Sequence, residues 1–197
     1  MSKSLYHSSR LTNDFVLKTA LHSGVLIIAY VVTWELIMPG QKLFMTMLPT
    51  LATFFYLPFG IKVISAFFEG WRSIIYMMPG VFIGNLFWVG MPFDTVVTYM
   101  TWAASYGTAP AMFAMLDWTI RDDRRNVTAG QAWRTMIAGG AAASVVISVL
   151  VHMIRHRNIP QEDFIASMLK YMVGDMLGLL AILALLMGVF RYMRKAR

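Results

Sequence analysis

The sequence has 197 residues, 58% of them hydrophobic and only 14% charged, with a formal net charge of +7 and a mean hydropathy of +0.60. A soluble domain of this length carries roughly a quarter charged residues to cover its surface, so the composition excludes an ordinary water-facing globule and points to one that faces lipid. Cysteine is absent, which excludes disulfides, thiolate metal sites and cysteine nucleophiles.

In chain order, residues 1–14 form a polar tail, 15–192 a single apolar domain and 193–197 a basic tail. The first apolar run, Phe15 to Met38, is longer than a signal-peptide core and no small-residue cleavage site closes it. It reads as a retained spanning helix ending at Pro39-Gly40. The second run, Leu43 to Phe68, contains Pro49, Pro58, Gly60 and Lys62. It is expected to be a helix broken at Pro58-Gly60, because proline removes a backbone donor and glycine loosens the turn. Whether 43–69 forms one broken span or a re-entrant element stays open.

Ser73 to Trp88, Val96 to Leu116, Trp133 to Ile154 and Phe164 to Phe190 follow as further spans. An apolar stretch of about 20 residues crosses a bilayer core, and only a helix or a closed barrel satisfies its backbone there. Alternating ten-residue segments, the barrel signature, are missing. The expectation is therefore an all-α integral membrane protein of about six transmembrane helices.

Basic residues orient such a bundle. With the N-terminus inside, 12 of the 17 Lys and Arg lie inside, 3 outside and 2 within segments. Both termini are then cytoplasmic, as expected for a multi-pass protein of the bacterial inner membrane. The positive charge sits at segment ends, so it signals orientation and not nucleic-acid binding. The polar loop from Asp117 to Arg134, with Arg121, Arg124 and Arg125 around Asp122-Asp123, reads as part of that signal.

Charge inside a membrane is costly and usually partnered. At the helical rise, Asp175 lies about 15 Å into the last span and Lys62 about 9 Å into the second. An ion pair between them is the simplest expectation, so neutralising one alone should destabilise the fold. The alternative is a polar ligand site formed by Lys62, Asp175, Asn85 and the Pro58-Gly60 break, since broken helices often mark binding sites in membranes. Glu35 and Lys170 lie near helix ends, within reach of water. Gly80 with Gly84, Gly139 with Gly140, and Gly174 with Gly178 provide small-residue faces for close helix packing.

Of the histidines, His22 lies near the inner end of the first span, His152 and His156 at the outer end of the fifth and His7 in the tail. No pair across the bundle shares a depth, so no metal or haem site is expected and no cofactor is implied. No phosphate loop, zinc spacing or nucleophile setting is present, and the chain is not expected to be an enzyme.

Tyr56-Leu-Pro-Phe-Gly-Ile-Lys62, then Gly70-Trp71-Arg72, then Met78-Pro-Gly-Val-Phe-Ile-Gly-Asn-Leu86, together with Val173-Gly-Asp-Met-Leu-Gly178, carry a family pattern. It resembles the bacterial membrane-associated sensor domain of the first type, found ahead of histidine kinases and cyclic-di-GMP enzymes. The resemblance covers about a quarter of the chain, and this sequence has room for six spans where that family has about eight. It implies a membrane-embedded sensory or ligand-binding module. With no output domain expected after the last span, a signal would pass to a separate membrane protein or a second copy. The other expectation is a non-catalytic subunit of a membrane complex, either a transporter's substrate-binding component or a scaffold.

Overall fold

The computed structural model describes residues 2–44, 55–119, 129–155 and 164–195, with side chains over 13–41, 55–116, 132–155 and 165–195. Pro49, Arg121, Asp122, Asp123, Arg124, Arg125, His156 and the side chain of His7 lie outside what is described. Every described element is helical: α1 (Ser2–Val31), a π-helical turn (Val32–Ile37), α2 (Met38–Phe44), α3 (Leu57–Glu69), α4 (Arg72–Gly84), a second π turn (Asn85–Val89), α5 (Val96–Thr119), α6 (Ala129–Arg155) and α7 (Phe164–Lys195). Four stretches are long and apolar enough to cross a membrane: Asn13–Gln41, Arg72–Val89, Ala132–Arg155 and Ile165–Lys195. An apolar medium offers backbone groups no water, so local i to i−4 bonding is the economical solution along each run.

The helices alternate in direction. Ser23 meets Tyr76 and Gly80, Tyr30 meets Gly84, and beyond them Glu35 accepts from Trp88 at 2.9 Å, so the contacts advance together along α1 and α4. α1 and α4 are therefore parallel, and α3 returns between them through a tight turn. Gly70 occupies that turn at φ +56°, where a side chain would be strained. On the same reasoning α3, α5 and α7 run together: Lys62 meets Ser105 and Phe67 meets Phe113, while Tyr56 meets Gly174 and Gly60 meets Ile182. Short α3 is the central element, packed on α1, α4, α5, α6 and α7.

The second segment differs from the sequence expectation. Pro58 and Gly60 do not interrupt a helix; they lie in the first turn of α3. Proline costs nothing there, because the first N–H groups of a helix have no intrahelical partner. The helix begins in the middle of the bundle, where the Tyr56 N–H donates to the Gly174 carbonyl at 3.0 Å. A Cβ at Gly178 would overlap the Tyr56 backbone, and one at Gly60 would meet Ile182 and the Gly178 carbonyl. The Gly174/Gly178 face thus receives the start of α3.

The other glycine pairs also mark close approaches. Gly80 lies against the backbone of Ser23, Gly84 against the Tyr30 ring, Gly139 against the Phe113 ring, and Gly140 against Leu179 and Val63. At the α1–α4 crossing, Pro79 sits inside the helix. The Ser23 hydroxyl donates to the Tyr76 carbonyl (2.8 Å) and accepts from the Gly80 N–H (3.1 Å). One hydroxyl from the neighbouring helix thereby bridges groups that would otherwise bond each other, as membrane helices with proline require.

Phe59, Val63, Phe113, Met136 and Leu179 pack together in a core towards the α3–α4 end. The opposite half is different, with aromatic and polar side chains around open space.

Candidate functional site

Between α1, α3, α4, α5, α6 and α7 lies a cavity of about 260 Å³. Its lining includes Tyr30 from α1, Trp34 from the π turn after it, Met38 at the start of α2, Tyr56 and Lys62 around α3, and Val81, Asn85 and Val89 from the α4 region. α5 contributes Thr101, Trp102, Ser105 and Tyr106, α6 contributes Ser148, His152 and Arg155, and α7 contributes Tyr171 and Asp175. From Ser148 to Arg155 the cavity climbs about 10 Å along α6, given the helical rise. Lys62 and Asp175 lie at its deep end.

Helix geometry explains how Lys62 reaches the cavity. Side chains tilt towards the N-terminus of their helix, and the N-terminus of α3 is the end inside the bundle. The ammonium therefore rises to the level of Tyr56 and Phe59. It lies 4.8 Å from the Tyr106 ring centre, 5.5 Å from that of Tyr56 and 5.8 Å from that of Phe59. It donates to Ser105 Oγ at 2.7 Å. Three aromatic faces offset part of the cost of burying a cation. Asp175 accepts a long hydrogen bond, 3.4 Å, from the Ser144 hydroxyl.

The direct Lys62–Asp175 ion pair expected from matching depths is not formed. Both face one cavity, but among the described residues the ion pair present is Lys18–Glu69, at the far end of α3. Depth along each helix does not fix the lateral distance, which depends on how six helices pack. The tilt of Lys62 towards the aromatic faces and Ser105 holds its head away from the carboxylate.

Asn85 lines the same cavity, yet its amide is used locally. It donates to the Met91 carbonyl at 2.8 Å and accepts from the Met91 N–H at 3.2 Å, clamping the turn after the second π segment. Pro58 and Gly60 lie in the helix start beneath, packed against α7 and absent from the lining. Of the five residues proposed from sequence for a ligand site, the fold brings Lys62, Asp175 and Asn85 to the cavity and assigns the other two to packing.

Several lining residues escaped the sequence reading. Tyr30 and Tyr106 share a hydrogen bond at 2.9 Å, and Tyr30 stacks on Trp88 with ring centres 6.1 Å apart. Gly84 makes room for that ring. His152, 1% exposed, was set aside for lacking a partner at its depth. Its Nδ1 donates to the Ser148 carbonyl at 2.8 Å, and Nε2 lies 3.2 Å from Ser167 Oγ. The imidazole therefore does not act on the Ser148 hydroxyl, which has no hydrogen-bond partner among the described residues. A usable signal was present: Ser144, Ser148, His152 and Arg155 recur at helical spacing down one face of α6.

Both π turns border this region. Such turns insert an extra residue into a helix and recur at functional sites. Here they face each other through Glu35 and Trp88. The α4–α5 connection is held by its own threonines, with Thr98 Oγ1 donating to the Pro92 carbonyl at 2.6 Å. No group of three or more His, Cys, Asp or Glu able to hold a metal occurs among the described residues. The arrangement is suited to binding: charges of both signs, hydroxyls and aromatic walls around a volume that fits a small molecule. Comparison with protein-family models, with curated proteins and with solved structures found no match.

Proposed function

We propose that this chain is a membrane-embedded module that binds a small molecule and acts as a sensor. The observation that carries this reading is the cavity of about 260 Å³ with Lys62 and Asp175 buried at its deep end and not paired with each other. Intramembrane ionisable groups mark ligand and ion pathways by default. The sensor-domain resemblance of the motifs around Tyr56–Leu86 and Gly174–Gly178 supports the sensory part. In this reading the bundle makes six passes of a bacterial inner membrane, with α5 and the segment ending in α3 added to the four long apolar stretches. Both termini lie in the cytoplasm, as the charge distribution favours. Reporter fusions at Arg125 and Arg197 should both give cytoplasmic signals, and an external signal at either rejects the topology.

A signal from this cavity would pass to a membrane partner. The glycine faces face other helices of the same bundle, so a partner or a second copy would dock on other surfaces. One observation favours a second reading, the substrate-binding component of a transporter. α3 starts at mid-bundle beside the cavity, as discontinuous helices do in transporters.

Native mass spectrometry of the chain purified in lipid-like detergent tests the binding reading. The wild type should retain a small molecule that Ser148→Leu, which fills the cavity wall, does not. An empty wild type, or equal retention by both proteins, rejects it.

A further inference from the structure

Lys62 and Asp175 are 3% and 5% exposed, yet each is held by a single serine hydroxyl and neither touches the other. In the same cavity lining Ser148, 2% exposed, carries a hydroxyl with no partner among the described residues. Neither ion has a counter-charge in contact, which leaves part of its burial cost unmet, and an unpaired buried hydroxyl is costly too. A molecule entering this cavity lowers the free energy most if it relieves all three together. It must present an anionic group to Lys62, a cationic group to Asp175 and a hydrogen-bonding atom to Ser148. An uncharged ligand leaves both ions unmatched. A simple carboxylate serves Lys62 but stands against the Asp175 carboxylate, and a simple amine has the opposite fault.

Resting on the reading of the cavity as a ligand site, we infer that its ligand is a small zwitterion of the α-amino-acid class. The carboxylate lies on the Lys62 and Ser148 side and the ammonium against Asp175. The apolar remainder of the molecule extends along the Tyr30, Trp102 and Tyr106 wall towards the mouth. These rings provide contact area at low conformational cost and tolerate side chains of different shape. Arg155 lies about 10 Å further along α6 than Ser148. It gives the entrance a positive charge that draws in the anionic end first.

The test uses the full chain in lipid nanodiscs and equilibrium binding of the standard α-amino acids. Each is measured beside its decarboxylated amine and its deaminated acid. At least one amino acid should bind, and its amine and its acid should each bind at least about tenfold more weakly, the effect of losing one charge-assisted contact. Asp175→Asn should remove the preference over the deaminated acid, and Lys62→Met the preference over the amine. Either charge variant could fail to fold, so Ser148→Ala provides a second test. It keeps both charges, and it should weaken the amino acid several-fold without lowering the unfolding temperature. An amine or acid that binds as tightly as its parent overturns the inference, as does a panel in which no amino acid binds. A co-purifying molecule that lacks either charge overturns the zwitterion and leaves the ligand site standing. A wild type that carries nothing in native mass spectrometry removes both.

Discussion

Ser23 and Ser148 are both buried, and both sit on a helix that packs against two or more others. The hydroxyl of Ser23 is fully used: it gives a hydrogen to Tyr76 and takes one from Gly80, closing a gap in the α4 ladder. The hydroxyl of Ser148 has no partner among the described residues. The difference lies in what stands opposite. Gly80 has no side chain, so two backbones touch and their polar groups fall within reach of Ser23. Around Ser148 the helices diverge and leave a cavity. In this bundle, polar groups are consumed where backbones meet and left over where they part. Of the two buried hydroxyls without a partner among the described residues, Thr33 and Ser148, Ser148 lines the cavity.

Four measurements would break or sharpen this contrast. The largest effect is expected at the tightest seam. Gly178→Ala places a Cβ on the Tyr56 backbone and should lower stability by about 3 kcal/mol, the upper range for overpacking. Thermal unfolding in detergent measures it, with Gly24→Ala as control, since nothing lies within 4 Å of a Cβ there. A loss similar to the control would mean that the start of α3 moves freely and the seam is not rigid.

Next comes Ser23→Ala, which leaves the Tyr76 carbonyl and Gly80 N–H without their bridge. About 2 kcal/mol should be lost, given the cost of unpaired buried groups. Retained stability would show that the α4 ladder closes by itself across Pro79.

A smaller effect is expected for the two cavity charges. A double-mutant cycle on Asp175→Asn and Lys62→Met should give a coupling of about 1 kcal/mol, because the side chains share one cavity without direct contact. A coupling of about 3 kcal/mol or more would restore the direct ion pair read from the sequence. The smallest effect has the opposite sign. Ser148→Ala removes an unsatisfied hydroxyl and should raise stability by up to about 1 kcal/mol. If it destabilises the protein instead, that hydroxyl has a structural partner and the contrast with Ser23 disappears.

Much of the architecture was legible residue by residue. Phe15 to Met38 anticipates the apolar stretch Asn13–Gln41, and Trp133 to Ile154 anticipates Ala132–Arg155. The glycine spacing at 80/84 and 174/178 pointed to close approach, though not to its partners, Ser23, Tyr30 and Tyr56. Lys62 and Asp175 stood out because a charged residue in an apolar run is conspicuous. Tyr30 and Tyr106 did not, because a tyrosine in such a run is ordinary. The polar stripe on α6 was readable at periods of four and three, but only the packing shows which way it faces.

Sequence alone determined that the chain is helical and apolar enough to enter a membrane. Both properties follow from local causes: bonding within each run and the transfer preference of its side chains. Tertiary structure alone decided that Pro58 starts a helix, that Lys62 turns to Ser105 and the tyrosine faces, and that Ser148, without a hydroxyl partner among the described residues, lines the same cavity as Asp175. Those outcomes depend on lateral distances between helices far apart in the chain. Such distances are set by which glycine receives which backbone, and the spacing within one helix contains no information about the helix that will lie against it.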